Sequence, residues 1–157
     1  MTIHSLQALL SEHPFFAGLS AEHMAIVAGC AKNVQFKAGE TIFREGQAAD
    51  WFYLIRAGRV AVDITVAPRG RITVQTLEAG EVLGWSWLFP PYKWHFGATC
   101  LEAARALAMD GACLRGKCEA DPKLGYELMK RFARVMMERL QTARVQLLDV
   151  YGHAGQR

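Results

Sequence analysis

The amino-acid sequence predicts a mainly β domain, an antiparallel sandwich or barrel, with helices before and after the strands. Between residues 33 and 110, short segments alternate apolar and polar residues with the period of two that a half-buried strand requires, and about eight such segments occur. Glycine-containing turn signals separate them at a spacing of roughly 8 to 12 residues, which is typical of antiparallel folds. The crossover helices of a parallel βαβ sheet are missing, so that class is excluded.

Residues 1–32, which precede the strands, are predicted to be helical. Leu6, Leu9 and Leu10 have the spacing of one helix face. Ser20 is suited to cap a second helix over residues 21–31, because its hydroxyl can accept a hydrogen bond from the first turn. Phe15 and Phe16 lie between the two helices, and we expect them to pack against whatever follows.

Residues 111–152, which follow the strands, are predicted to include a long helix. It begins at Pro122, a residue favoured in the first helical turn, continues for about 28 residues to Val150 and ends at Gly152. Its apolar residues are first spaced four residues apart and then alternate spacings of three and four, as in a coiled-coil seam. This pattern predicts a homodimer. The apolar residues are Leu124, Leu128, Phe132, Met136, Leu140, Ala143, Leu147 and Val150. The three segments together form a single structural domain.

The composition excludes several functional classes. A chain of 157 residues with 52% hydrophobic and 21% charged residues is one globular domain. Its net charge of +3, with basic and acidic residues interspersed, does not predict a nucleic-acid-binding surface. No apolar run reaches the roughly 18 residues of a membrane span, and the first residues lack the basic region of a signal peptide. We therefore expect a cytoplasmic protein with no membrane partner.

The residues that could support catalysis or metal binding are scattered. The cysteines form no CxxC pair, so we expect reduced thiols and neither a disulfide nor a zinc framework; they are Cys30, Cys100, Cys113 and Cys118. The five histidines form no metal-binding pair, and the sequence contains no P-loop and no Ser-His-Asp order. We predict no metal, no catalytic residue and no enzymatic activity.

Residues 36–63, FKAGETIFREGQAADWFYLIRAGRVAVD, resemble the cyclic-nucleotide-binding domain family, the sensor module of the bacterial Crp/Fnr regulators. The family pattern is a Gly-Glu after the first strand, a Glu-Gly turn, and then Tyr-x-Ile-x-x-Gly-x-Val. The resemblance implies a double-stranded β-helix, that is a jelly-roll-like β-roll, with a dimerising C-terminal helix. It also implies that DNA is read by a helix-turn-helix unit after that helix. Only five residues follow Gly152, so we expect no DNA binding by this chain alone.

Residues 77–84, LEAGEVLG, resemble the start of the family's phosphate-binding cassette. By this resemblance, Gly84 matches the cassette glycine, Trp85 replaces the glutamate that binds the ribose, and Phe96 replaces the arginine that pairs with the phosphate. We therefore expect no tightly bound cyclic AMP or cyclic GMP, no other cofactor, and a small-molecule ligand of unknown identity. The candidate ligand-binding positions are Gly84, Trp85, Ser86, Trp87, Lys93, His95, Phe96, Ala98 and Thr99.

Aromatic residues are dense in this segment, and three interpretations remain open. They can fill the vacated pocket as core, line a pocket for a flat aromatic molecule, or form a patch for a protein partner. They are Trp85, Trp87, Phe89, Tyr92, Trp94 and Phe96. The resemblance thus implies a non-catalytic, ligand-sensing regulatory domain that couples the cassette to the long helix. The alternatives are a ligand-free protein-interaction module and the sensor part of a truncated transcription regulator.

Overall fold

The computed structural model describes residues 3–155, which form eight strands and four α-helices. The helices are α1 (Ile3–Glu12), α2 (Ala21–Ala28), α3 (Gly111–Ala120) and α4 (Pro122–Gly155). The strands are β1 (Ala31–Phe36), β2 (Thr41–Phe43), β3 (Trp51–Ala57), β4 (Val60–Val66), β5 (Gly70–Leu77), β6 (Val82–Leu83), β7 (Gly97–Cys100) and β8 (Ala104–Asp110). Short 3-10 helices occupy Pro14–Phe16 and Ser86–Leu88. None of the helices described is long and apolar enough to cross a membrane.

The strands form two four-stranded antiparallel sheets, in the orders β1-β8-β3-β6 and β2-β7-β4-β5. The chain passes from one sheet to the other repeatedly, which is the predicted double-stranded β-helix. The mainly β fold, its strand count and its flanking helices are confirmed.

The two central strands of the first sheet, β3 and β8, carry buried residues on both faces, and the sheet therefore separates two apolar clusters. Along β3, Phe52 and Leu54 face the helices, whereas Ile55 faces the second sheet. This alternation follows from the period of two along a strand. We call the cluster between the helices and the first sheet the helical core, and the cluster between the two sheets the roll interior.

Two predicted helix boundaries differ from the structure. Helix α2 ends at Ala28 rather than at residue 31, with Gly29 as its C-cap, and β1 already begins at Ala31. Helix α4 continues through Gly152 to Gly155 and has 34 residues. The space around Gly152 is open, and a single glycine inside a helix costs only about 1 kcal/mol relative to alanine. The N-cap prediction is confirmed, since the Ser20 hydroxyl accepts a hydrogen bond from the His23 amide.

The expectation of four reduced thiols is wrong, because Cys30 and Cys113 form a disulfide. Cys30 immediately precedes β1, and Cys113 lies in the first turn of α3, just after β8. The antiparallel pairing of Ala31 with Met109 brings these two segments together although 83 residues separate the cysteines. Cys100 and Cys118 are free.

Helix α4 is buried at its beginning and exposed at its end. Leu124, Leu128 and Phe132 are fully buried in the helical core. Every residue from 140 to 152 is exposed. The second half of the predicted seam therefore has no partner within the part of the chain that the structure describes.

Candidate ligand-binding site

The predicted cassette is the segment between β6 and β7, which lies where the two apolar clusters meet. Gly84 follows β6 with a φ of +97°, in the left-handed region that glycine alone adopts at no steric cost. A Cβ atom at this position would collide with the six-membered ring of Trp94. Gly84 is thus required both by its backbone conformation and by the indole packed on it.

Trp94 occupies the roll interior beneath the cassette glycine. Its indole is 3% exposed and stacks on Phe43, with 3.8 Å between ring centroids and an interplanar angle of 9°. Phe96 packs beside both rings, at centroid distances of 5.8 Å from each. Aromatic side chains therefore fill the space between the cassette and the second sheet, which is the arrangement expected of a core.

Backbone hydrogen bonds fasten the cassette loop to the loop between β2 and β3. The Trp94 amide donates to the Gln47 carbonyl at 2.9 Å, and the Gly46 amide donates to the Trp94 carbonyl at 2.8 Å. The Ala49 amide donates to the Tyr92 carbonyl at 2.7 Å. These bonds hold the backbone of the loop, including that of Trp94, against the roll.

Trp85 and Phe96, which the sequence predicts to replace the family's charged anchors, contact each other. The rings of Trp85 and Phe96 meet edge to face with centroids 6.2 Å apart, and both side chains are half-buried. A cation from α4 lies on the other side of Trp85, since the Arg139 guanidinium is 5.5 Å from its ring centroid. Arg139 also donates a hydrogen bond to the Val82 carbonyl. Burial lowers the pKa of Arg139, and the charges of Glu81 and Glu138 oppose this shift.

Trp87 points away from the roll interior and into the helical core. It is fully buried, stacks on Phe52 at 4.7 Å, and meets Phe132 of α4 edge to face at 5.5 Å. The guanidinium of Arg115 in α3 donates to the Trp87 carbonyl. This residue connects the cassette to α3 and α4. Its indole N–H and the buried hydroxyl of Ser86 have no hydrogen-bond partner among the described residues.

The structure separates the nine candidate positions into four groups. Gly84, Ala98 and Phe96 border the roll interior. Trp85 and Trp87 pack on the helical core, Trp85 also meets Phe96 edge to face, and Ser86 between them is buried. Lys93 and His95 are exposed. Thr99 lies on the outer face of the second sheet, where Arg71 contacts its hydroxyl at 3.5 Å.

Two residues near the cassette were not singled out from the sequence. Arg139 follows Phe132 by seven residues and so lies on the buried face of α4, which is the one signal that could have identified it. His13 is buried, and its Nε2 bonds the Ile55 carbonyl at 3.1 Å while its Nδ1 accepts from the Phe15 amide. These roles require the neutral ring, and burial lowers the pKa of His13. The same Ile55 carbonyl accepts the Gly80 amide, so His13 braces the turn that precedes the cassette.

Comparison with known proteins agrees with this architecture. The sequence model of the cyclic nucleotide-binding domain matches residues 33–121. A CRP-like cAMP-activated global transcriptional regulator of Mycobacterium tuberculosis is 27% identical over 146 residues, which are 92% of this chain and 63% of the relative. The chain therefore spans less than two thirds of that regulator's length.

Two solved structures with related sequences have the same fold. A putative cyclic nucleotide-binding protein from Geobacter metallireducens is 28% identical, with a TM-score of 0.76 over 89% of this chain and 98% of that one. The N-terminal domain of a transcriptional regulator from Streptomyces coelicolor is 26% identical, with a TM-score of 0.67 over 83% of this chain and 93% of that one.

Proposed function

The chain belongs to the cyclic nucleotide-binding domain family, and from that premise we propose that it is a non-catalytic regulatory domain whose roll is closed to cyclic nucleotides. The observation that carries the proposal is the position of Trp94. Its indole fills the roll interior beneath the cassette glycine and stacks on Phe43. A nucleotide in the roll would have to displace this buried ring, and removing a buried tryptophan from a core costs about 3 to 5 kcal/mol.

The replaced anchors support the same proposal. A cyclic phosphate without its arginine lacks a charge-assisted hydrogen bond of about 1.5 to 3 kcal/mol, which is about one to two decades of affinity. By the resemblance Phe96 occupies that position, and the nearby basic residues Lys93 and His95 are exposed. Arg139 is close to Trp85, but its guanidinium already donates to the Val82 carbonyl. The tightly binding ligand, if it enters the roll, is therefore not cyclic AMP or cyclic GMP.

We propose that the domain exerts its regulatory effect through the position of α4. Trp87 packs on Phe132, and Arg139 packs on Trp85, so the cassette touches this helix at two points seven residues apart. A change in the cassette would be transmitted to α4 through these contacts. The exposed apolar residues after residue 140 give α4 a surface for a second copy of the chain, and we include a homodimer in the proposal.

A transcriptional role like that of the mycobacterial relative is, for this chain, also a proposal. Because the chain spans 63% of that relative, its role as the sensor part of a longer regulator fits the proposal as well as a stand-alone sensor does. A cytoplasmic location stays a prediction. The Cys30–Cys113 disulfide weighs against it, since such bonds are rare in reducing compartments.

Restoring the anchors tests the proposal directly. The double variant Trp85→Glu/Phe96→Arg replaces the charges but leaves Trp94 in the roll. The triple variant, which adds Trp94→Leu, also makes space. We expect cyclic AMP to raise the melting temperature of the triple variant only, with circular dichroism as the control for folding. A cyclic AMP response in the double variant would show that Trp94 does not close the roll.

A further inference from the structure

A cavity of about 310 Å³ lies outside the roll, between α4 and the turn that precedes the cassette. Pro14 and Phe15 form one wall, residues 80–82 form the second, and Arg131, Arg134 and Arg139 of α4 form the third. The rings that fill the roll interior do not line it. The cavity is therefore a separate site, and its volume is at the lower end of the range typical of small-molecule pockets.

The three arginines leave positive charge directed at this cavity. The Nη2 atom of Arg131 donates to the Ala17 carbonyl at 3.0 Å, but its Nε is buried and has no hydrogen-bond partner within residues 3–155. Arg134 is exposed, and no side chain or carbonyl that the structure describes bonds or pairs with it. The guanidinium of Arg134 and the remaining terminal N–H groups of Arg131 are therefore available to an acceptor that occupies the cavity.

The carboxylates on the cavity wall form no ion pair with these arginines. Glu81 and Glu138 both line the cavity. An Oε2 atom of Glu81 accepts the Glu78 amide at 2.9 Å, which holds this carboxylate in its own turn. Neither residue takes part in the ion pairs found among the described residues. The cavity wall thus carries three guanidinium groups and only two carboxylates.

We propose that this cavity binds a small phosphorylated organic molecule. Its phosphate accepts hydrogen bonds from Arg131 and Arg134, because the planar guanidinium fork matches phosphate oxygens better than any other side chain does. A bare phosphate would leave much of the cavity empty. The organic part packs against the apolar wall formed by Pro14, Phe15 and Val135.

This site goes beyond the proposed function, and it stands whether or not the roll accepts a nucleotide. Arg139 connects the two regions, since it lines the cavity and also contacts Val82 of β6 and Trp85 of the cassette. A phosphate in the cavity would draw α4 toward the turn at residues 80–82. Ligand binding in the cavity would therefore be a second way to change the position of α4, besides a change in the cassette.

An amide-resolved NMR titration of the full chain tests the site. The probes are inorganic phosphate and phenyl phosphate, at an ionic strength held constant with sodium chloride, and malonate serves as a carboxylate probe. We expect saturable shifts at the amides of Ala17, Glu81 and Arg134, with tighter binding of phenyl phosphate than of inorganic phosphate and no saturable effect of malonate. Arg134→Gln should weaken binding about tenfold, because one charge-assisted contact is lost.

The matched control is Arg144→Gln, which removes the same charge from an exposed position on the same helix outside the cavity. It should leave the affinity unchanged. Arg134 makes no contact that the fold needs, so its variant should melt at the wild-type temperature. Equal weakening in both variants, stronger binding of malonate, or no saturable shift with millimolar phosphate would overturn the proposal. Shifts at Gly97 and Ala98 with cyclic AMP would contradict the closed roll instead and leave this site untouched.

Discussion

The indole of Trp94 lies parallel to the ring of Phe43, with 3.8 Å between their centroids, in the interior of the β-roll. Phe43 belongs to β2 and Trp94 to the loop before β7, so the stack joins the cassette to the second sheet. The contact makes the cassette part of the core. This stack, His13, the disulfide and the exposed end of α4 each lead to a prediction that can be measured.

The stack predicts that Trp94 stabilises the fold. Trp94→Ala should lower the free energy of unfolding by about 3 to 5 kcal/mol, because the side chain is almost fully buried and leaves a cavity. Trp85→Ala, a matched change at a half-buried position, should cost about 1 to 2 kcal/mol because less apolar area is lost. Urea denaturation measures both. Equal costs for the two variants would show that Trp94 is not a core residue.

His13 predicts a loss of stability at acidic pH. Burial holds its pKa below the usual value of 6.5, and its Nδ1 must stay unprotonated to accept the Phe15 amide. The unfolded chain therefore binds more protons below pH 6.5 than the folded chain does. Stability from this residue should be complete above that pH and fall as the pH drops toward the folded-state pKa.

Urea denaturation across this pH range checks whether the free energy of unfolding falls as the pH drops. Two variants show whether His13 causes the change. His13→Gln keeps a donor for the Ile55 carbonyl but does not titrate, so it should flatten the pH dependence. His95→Gln, at an exposed position, should leave it unchanged. Glu12 and Arg56 border the same small cleft as His13, and an unchanged slope in His13→Gln would assign the effect to such neighbours.

The disulfide predicts that stability depends on redox conditions. The bond closes a loop across 83 residues of sequence, for which loss of chain entropy in the unfolded state gives on the order of 4 kcal/mol. Dithiothreitol should lower the melting temperature of the wild type and of Cys118→Ser, in which the disulfide remains. It should have no effect on Cys113→Ser. A wild-type melting temperature that is insensitive to the reductant would contradict a stabilising disulfide.

The exposed end of α4 predicts a concentration-dependent dimer. Leu147 is 55% exposed and lies on the seam with Leu140 and Val150. Leu147→Lys should shift sedimentation equilibrium to the monomer because the seam would bury the introduced charges, whereas Gln141→Lys, off the seam on the same helix, should not. A monomeric wild type at micromolar concentration would remove the homodimer from the account.

The strands and helices could be predicted because they depend on local patterns. The period of two and the glycine turns mark β3 and β4, and the steps of four mark the start of α4. The direction of a side chain after an irregular turn could not be predicted in this way. Trp87 and Trp94 lie in one short segment, but the 3-10 turn at Ser86–Leu88 sends the first into the helical core and the loop sends the second into the roll.

Long-range partners were the other part that the sequence could not reveal. Cys30 and Cys113 meet only because β1 pairs with β8. The spacing of the cysteines along the sequence does not reveal this strand pairing. Arg139 reaches Val82 across 57 residues, and its role depends on how α4 docks on the first sheet. The resemblance to the family identified the cassette segment, but it did not show where the aromatic side chains of that segment pack.

Titration calorimetry of the wild-type chain with cyclic AMP tests the closed roll most directly. With Trp94 stacked on Phe43 and Phe96 at the arginine position, no saturable heat is predicted at micromolar ligand. A one-site isotherm with a micromolar or lower dissociation constant would contradict the account, because it would require the indole to leave the interior or the nucleotide to bind without its anchors.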